Sequence, residues 1–158
     1  MPDPNASPPR YRPCVAGILQ DSRGRVLIGE RIDTPGGWQF PQGGVDKGES
    51  REEALARELQ EEISLKPGDY RVIENKGPYR YLLEKGHKKK GFDGQEQHYF
   101  RAVMAAPESA VDVKTEEPEF RATRWIRPEE FDLAWLPKFK REVYRAVLRD
   151  FFGVIKGE

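Results

Sequence analysis

Residues 43–63 read GGVDKGESREEALARELQEEI, a glycine-rich approach followed from Ser50 on by a run without glycine or proline. Glu, Arg, Ala and Leu dominate that run, so Ser50 to Ile63 is expected to be a helix. At about 100° per residue, Leu55, Leu59 and Ile63 line up as one apolar seam that has to face the interior. Taking Leu55 as zero, Glu62 falls at roughly −20°, Glu58 at roughly −60° and Glu61 at roughly −120°. One carboxylate therefore sits almost on the buried stripe, and any fold built on this helix must accommodate it. Three carboxylates within about 100° of arc repel one another, and a partly buried one is driven toward protonation unless a cation stands nearby. Mg²⁺ is a cation of the right kind, with Mn²⁺ as a substitute: it is hard, takes carboxylate oxygens, keeps several waters and bridges to substrate phosphates. The same residues also fit a solvated helix in which Glu53, Arg57 and Glu61 pair at i,i+4.

The rest of the chain supplies the layers this helix needs. Its 158 residues carry 27 Lys plus Arg against 27 Asp plus Glu, a size and balance that fit one domain with a substantial core. Zero net charge excludes a polyanion binder working by bulk attraction alone. With 37% hydrophobic and 34% charged residues the chain is too apolar for disorder, and it has no apolar run long enough to cross a bilayer. A single cysteine, Cys14, cannot form an internal disulfide, and the opening MPDPNASPPR has no hydrophobic stretch of a secretion leader, so a cytoplasmic location is expected. Residues 1–10 read as a flexible tail and 11–158 as a single domain.

Cys14 to Gln20 and Arg25 to Arg31 read as two strands around a tight turn at residues 21–24. Residues 32–49, with Gly36, Gly37, Gly43, Gly44 and Gly48, read as a long loop of the kind that is functional in compact domains. Further strands are expected at 70–75, 79–84, 97–105 and 121–126, and a closing amphipathic helix from Lys138 to Phe152. Strands on both sides of one strong helix, with a second helix last, predict an α/β fold with a mixed sheet sandwiched between helices.

From Gly43 the spacing is Gly43, five residues, Glu49, seven residues, then Arg57, Glu58, Leu59, Gln60, Glu61, Glu62. This resembles the Nudix box, the loop-helix-loop signature of the Nudix hydrolases. Six identities at roughly one in ten each give chance odds on the order of 10⁻⁴, which turns the choice away from the merely solvated helix. The resemblance implies the Nudix α/β/α sandwich, divalent-metal binding by Glu58, Glu61 and Glu62, and a structural role for Gly43, Glu49 and Arg57. One departure is Ser64, where the family usually has glycine. A left-handed cap at serine costs up to about 1 kcal/mol or alters the exit path.

The segments Gly37–Gly44 (GWQFPQGG), Gly94–Gln97, Glu117–Phe120 and Phe139–Arg145 are similar to the branch of RNA 5′-pyrophosphohydrolases and dinucleoside polyphosphate hydrolases. The likeness runs from about Tyr11 to Phe152. It implies a further metal ligand or base at Glu119, phosphate contacts from Arg12, Arg31 and Lys140, a substrate contact from Gln42, and base stacking on Phe139 with Pro137 opposite. Read alone, Glu119 is also a surface acid, Phe139 a core residue and Lys140 a snorkelling surface lysine.

Charge is partitioned: residues 49–62 hold six Glu and two Arg, a net −4, and residues 138–149 hold five basic residues and one Glu, a net +4. An acidic, metal-loaded helix facing a basic one would suit a polyphosphate. Lys85, His87, Lys88, Lys89 and Lys90 form a second basic segment, read either as an RNA-backbone contact or as a solvated loop. Neither His87 nor His98 has metal-ligand spacing.

The function expected is Mg²⁺-dependent removal of pyrophosphate from 5′-triphosphorylated RNA, leaving a 5′-monophosphate that opens the transcript to decay. The rival is hydrolysis of dinucleoside polyphosphates or nucleoside triphosphates. A third class, a Nudix module that senses nucleotides without cleaving them, is expected to lack the carboxylates that Glu58, Glu61 and Glu62 retain.

Overall fold

The computed structural model describes residues 7–84 and 91–157, so the basic segment at 85–90 lies outside the described residues. Seven strands form one sheet: β1 (Tyr11–Gln20), β2 (Val26–Arg31), β3 (Trp38–Gln39), β4 (Gln42–Gly44), β5 (Tyr70–Leu82), β6 (Gly94–Met104) and β7 (Phe120–Ile126). Among the described residues two α-helices complete the fold, α1 (Arg51–Ile63) and α2 (Lys138–Phe152), with short 3₁₀ turns between β6 and α2. The sheet runs β3-β2-β1-β6-β5, with β4 also on β1 and β7 also on β2. β1 and β6 are parallel over ten residue pairs, and the other pairings are antiparallel, so the sheet is mixed as expected.

Alternation along β1 divides the core. Val15 and Leu19 join Leu55, Leu59 and Ile63 of α1 on one face, while Ala16 and Ile18 join Val143, Tyr144, Val147 and Leu148 of α2 on the other. Gly17 lets α1 approach closely, since a Cβ there would stand 3.1 Å from Leu59. The helices thus lie on opposite faces of the sheet. That corrects the expectation of an acidic helix facing a basic one. Along α2, Arg141 bonds Leu136 O, Arg145 bonds Glu142 and Arg149 bonds Asp150; only the first turn reaches the site.

Two further differences follow from long-range pairing, which local pattern does not report. The expected strands at 70–75 and 79–84 are one strand, β5, carried through two irregularities of register against β6. The loop 32–49 contains β3 and β4, held by Phe40. Phe40 is fully buried, stacks on Tyr144 at 5.3 Å, and donates its main-chain N–H to the Tyr144 hydroxyl at 3.1 Å. With Phe40 fixed, Gln42, Gly43 and Gly44 pair with Ala16, Val15 and Cys14, which brings the loop beneath α1. No helix among the described residues is long and apolar enough to cross a membrane.

Candidate active site

Helix α1 is fixed before any functional group is considered. The Ser50 side chain caps it, accepting from Glu53 N at 3.1 Å, and the Glu53 carboxylate in turn accepts from Ser50 N at 3.0 Å. Its far end closes at Ser64, whose φ of 65° is left-handed and whose N–H donates to Gln60 O at 3.1 Å. Ser64 therefore keeps the exit path that glycine would give. Its hydroxyl donates to Asp112 O at 2.8 Å, which offsets the backbone cost of the left-handed cap.

The order of burial follows the helical angles. Glu62 is 1% exposed, Glu58 9%, and the Glu61 side chain is turned outward. Glu62 Oε2 accepts the N–H of Gln42 at 3.1 Å, whereas its Oε1 is buried without a hydrogen-bond partner among the described residues. Burial pushes the Glu62 carboxyl well above the usual carboxylate range, and the Glu119 and Glu58 carboxyls add to the push. Burial likewise pushes Glu58 up to about 7, against the pull of Arg57 and with Glu61 and Glu119 adding repulsion. Glu119, at the entry to β7, is exposed and brings its carboxyl against Glu62.

Arg57 organises the approach. Its guanidinium makes five hydrogen bonds: two to Glu49, at 2.9 and 3.0 Å, one to Gly44 O at 2.8 Å, one to Glu58 at 2.9 Å and one to Glu61 at 3.3 Å. The whole donor fork is used. Glu49 also accepts from Asp46 N, and its carboxyl is held down at about 2, by the Arg57 hydrogen bonds first and the Asp46 N–H second. Gly43 and Gly44 pass so close that a Cβ at Gly43 would fall inside the Glu58 carboxylate, and one at Gly44 inside the Arg12 guanidinium.

The surroundings form one cleft of about 1190 Å³. The acids Glu58 and Glu119, the cations Arg12, Arg31 and Lys140, and the expected contacts Gln42 and Phe139 all line it. Glu62 lies behind Gln42 and Glu61 outside the cleft lining, so the predicted residues come together with those two at its back and flank. Arg31 is anchored by Asp33 through bonds of 2.8 and 2.7 Å, a partner the sequence reading did not identify. Phe139 leans on Tyr81 with ring centroids 5.9 Å apart. Behind the cleft, Gln97 donates to Gln42 Oε1 at 2.5 Å, and Tyr81 bonds Gln95. Trp135 and Gln95 also line the cleft. No local signal marks Trp135, whereas Gln95 sits in the Gly94–Gln97 segment already singled out.

The donor set is made of carboxylate oxygens, which suits a hard divalent cation. The bare, buried Oε1 of Glu62 fits such an ion, because an unpaired buried carboxylate oxygen is costly and a cation relieves it. Glu58 and Glu61 lean instead toward Arg57, and among the described residues no three Asp, Glu, His or Cys side chains stand close enough to enclose an ion as they are.

The pattern of the NUDIX domain family matches residues 10–147. The chain belongs to the Nudix family. Relatives named RNA pyrophosphohydrolase include one from Erythrobacter litoralis, 39% identical over 92% of this chain and 93% of its own. Another, from Teredinibacter turnerae, is 42% identical over 89% and 84%. The Nudix fold appears also in distant structures: the E. coli dihydroneopterin triphosphate pyrophosphohydrolase has a TM-score of 0.68 at 18% identity, covering 90% of this chain and 97% of its own. A C. elegans Ap4A hydrolase has a TM-score of 0.64 at 19% identity over 89% of this chain and all of its own. The chain is accordingly a Nudix pyrophosphohydrolase, acting on phosphoanhydride bonds, in a family that works with divalent metal.

Proposed function

We propose that this enzyme removes pyrophosphate from the 5′-triphosphate end of RNA, leaving a 5′-monophosphate and so opening the transcript to decay, with Mg²⁺ as the working metal. The observation that carries this reading is one cleft holding two carboxylates, three cations and the half-buried Phe139 ring at the start of α2. The relatives named RNA pyrophosphohydrolase, alike over nearly the whole chain, support it. Cytoplasmic work on transcripts and a single domain over 11–158 accord with it.

In this reading Glu58, Glu61 and Glu62 hold the metal, with Glu119 as a further ligand or as the base. Bound there, Mg²⁺ lowers the pKa of water and screens the phosphate oxygens. The protein's own groups do the remainder. Arg12, Arg31 and Lys140 take the phosphates and offset their charge as the α–β phosphoanhydride opens. Phe139, braced by Tyr81, stacks on the terminal base, and Gln42 lines the passage between base and carboxylates. Gly43, Glu49 and Arg57 keep Glu58 in place. Water adds across the anhydride: its oxygen joins one phosphorus, its proton passes to a carboxylate, and pyrophosphate leaves.

The test compares kcat/KM for a single-stranded triphosphorylated RNA with that for diadenosine tetraphosphate at one Mg²⁺ concentration. Faster processing of the RNA is expected. Preference for the dinucleotide would assign the enzyme to the rival substrate.

A further inference from the structure

A carboxylate stands among the cations of the cleft. Asp33, in the turn between β2 and β3, is exposed and shares the lining with Arg12, Arg31 and Lys140. Its charge repels the phosphates assigned to those cations, and Coulomb attraction alone would be better served by a neutral residue. Its geometry supplies a reason for it. Arg31 donates from Nε to Asp33 Oδ1 at 2.8 Å and from Nη2 to Asp33 Oδ2 at 2.7 Å, a double bond pair along one edge of the planar guanidinium. Two of the five N–H donors are thereby used, and the Nη1 group is left to a ligand.

Asp33 does not depend on Arg31 for its own place. The Thr34 hydroxyl donates to Asp33 Oδ1 at 2.9 Å, and main-chain bonds close the turn, Arg31 N to Gly37 O at 2.9 Å and Gly37 N to Thr34 O at 2.8 Å. The buried Glu30 ties down the far side, accepting from Gly36 N at 2.8 Å and from Arg121 Nε at 2.9 Å. Next to Asp33, Ile32 N donates to Glu119 O at 3.0 Å. The turn is therefore a fixed mount, and Asp33 is its hold on Arg31.

What Arg31 is held against matters, because Glu58 and Glu119 line the same cleft. The bonds to Asp33 keep Arg31 more firmly charged than an ordinary arginine, and the Glu119 carboxyl adds to this through space. Without Asp33, a flexible arginine gains most by pairing with that acid, which would tie up a phosphate contact and a metal-site carboxylate together.

We propose that Asp33 is a positioning residue for the polyphosphate, holding the Arg31 guanidinium off Glu119 with Nη1 open to a phosphate oxygen. The proposal rests on the reading of Arg31 as a phosphate contact in this cleft.

The experiment measures binding of inorganic tripolyphosphate by calorimetry in chelator, where nothing is hydrolysed, and kcat/KM for a triphosphorylated trinucleotide with Mg²⁺. The proteins are wild type, Asp33→Ala, Asp33→Asn, Arg31→Ala and the Asp33→Ala, Arg31→Ala double variant. In Asp33→Ala the Kd of tripolyphosphate should rise about two- to tenfold, as expected when one long side chain has to be ordered on binding, and kcat/KM should fall with it. Asp33→Asn, which keeps one acceptor, should recover part of the loss. With Arg31 already replaced by Ala, the Asp33→Ala change should leave the Kd unchanged or lower it, since only a repelling charge is then removed. Tighter or unchanged binding in the single Asp33→Ala variant overturns the proposal. An equal loss with and without Arg31 overturns it too, because Asp33 would then act on the turn at large. Wild type that binds tripolyphosphate but leaves the trinucleotide triphosphorylated overturns the RNA reading, and the tripolyphosphate cycle still decides the part played by Asp33.

Discussion

The Glu58 carboxylate occupies the space that a side chain on Gly43 would fill. Gly43 lies in β4, paired with Val15, and its backbone needs no special conformation, so its lack of a side chain serves the carboxylate rather than the chain path. Gly43→Ala should therefore fold and displace Glu58. A displacement of about 1 Å in a positioning group costs on the order of 10²-fold in rate, and we expect kcat to fall by about that factor with the circular dichroism spectrum unchanged. Wild-type kcat in Gly43→Ala would show that Glu58 does not have to stand where it does.

Burial of Glu62, and of Glu58 despite its bond to Arg57, makes the metal-free protein sensitive to pH. The folded-state carboxyls of Glu58, at about 7, and of Glu62 lie above the unfolded value of 4.5. Over that window the native state binds more protons than the unfolded one, so stability is greatest below about pH 4.5 for these two groups and declines as pH rises toward 7 and beyond. Glu62→Gln removes one buried charge at nearly constant volume. In chelator, its melting temperature should exceed that of wild type more at pH 8 than at pH 5, a difference worth about 1–3 kcal/mol. An equal offset at both pH values would show that Glu62 is not held protonated by the fold.

The same shift governs metal uptake. A carboxylate must be unprotonated to bind a cation, so the apparent affinity for Mg²⁺ should rise with pH, by up to about tenfold per pH unit for each proton displaced, as Glu58 and Glu62 lose their protons. Calorimetric titration at pH 6, 7 and 8 in buffers of different ionisation enthalpy reads both the affinity and the protons released. A pH-independent affinity with no proton release would mean that metal goes elsewhere.

Glu49 works in the opposite direction. With its carboxyl held at about 2, its contribution is fully present above pH 4.5 and is lost as pH falls toward 2. Arg57→Lys keeps the charge and loses the fork that joins Glu49, Gly44 and Glu58. We expect a loss of about 1–3 kcal/mol by urea titration and a fall in kcat, because a single ammonium cannot make these bonds together.

Much of this site could be read from the chain because helical periodicity converts sequence spacing into angle. The graded burial of Glu62, Glu58 and Glu61 follows their positions relative to Leu55, and the fold class follows from the order of elements. What could not be read depends on groups distant in sequence. Phe40 orders the loop through Tyr144, one hundred and four residues away, and so creates β3 and β4 where only turn residues are visible. Asp33 beside Arg31 is a neighbour in sequence, yet only the folded turn shows that they pair. Trp135 joins Trp38 by tertiary packing alone. The opposed placement of α1 and α2 was likewise hidden, because net charge says nothing about which face of a sheet a helix covers.

Ser64 tests how a left-handed cap is sustained without glycine. Ser64→Ala keeps the backbone cost and loses the bond to Asp112 O, and should lower stability by about 1 kcal/mol. Ser64→Gly relieves the cost while losing the same bond and should lie within about 0.5 kcal/mol of wild type. Thermal melts of the two variants decide it; equal losses would mean that the hydroxyl alone sustains the cap.

The most direct measurement follows the products released from a triphosphorylated oligonucleotide at saturating Mg²⁺, with wild type and Glu58→Gln in parallel. Wild type should yield one pyrophosphate and one 5′-monophosphate end per RNA, and Glu58→Gln should be slower by about 10² or more while melting as a folded protein. Undiminished pyrophosphate release by Glu58→Gln, or an RNA left triphosphorylated by wild type, would contradict the assignment of this carboxylate cleft to RNA 5′ ends.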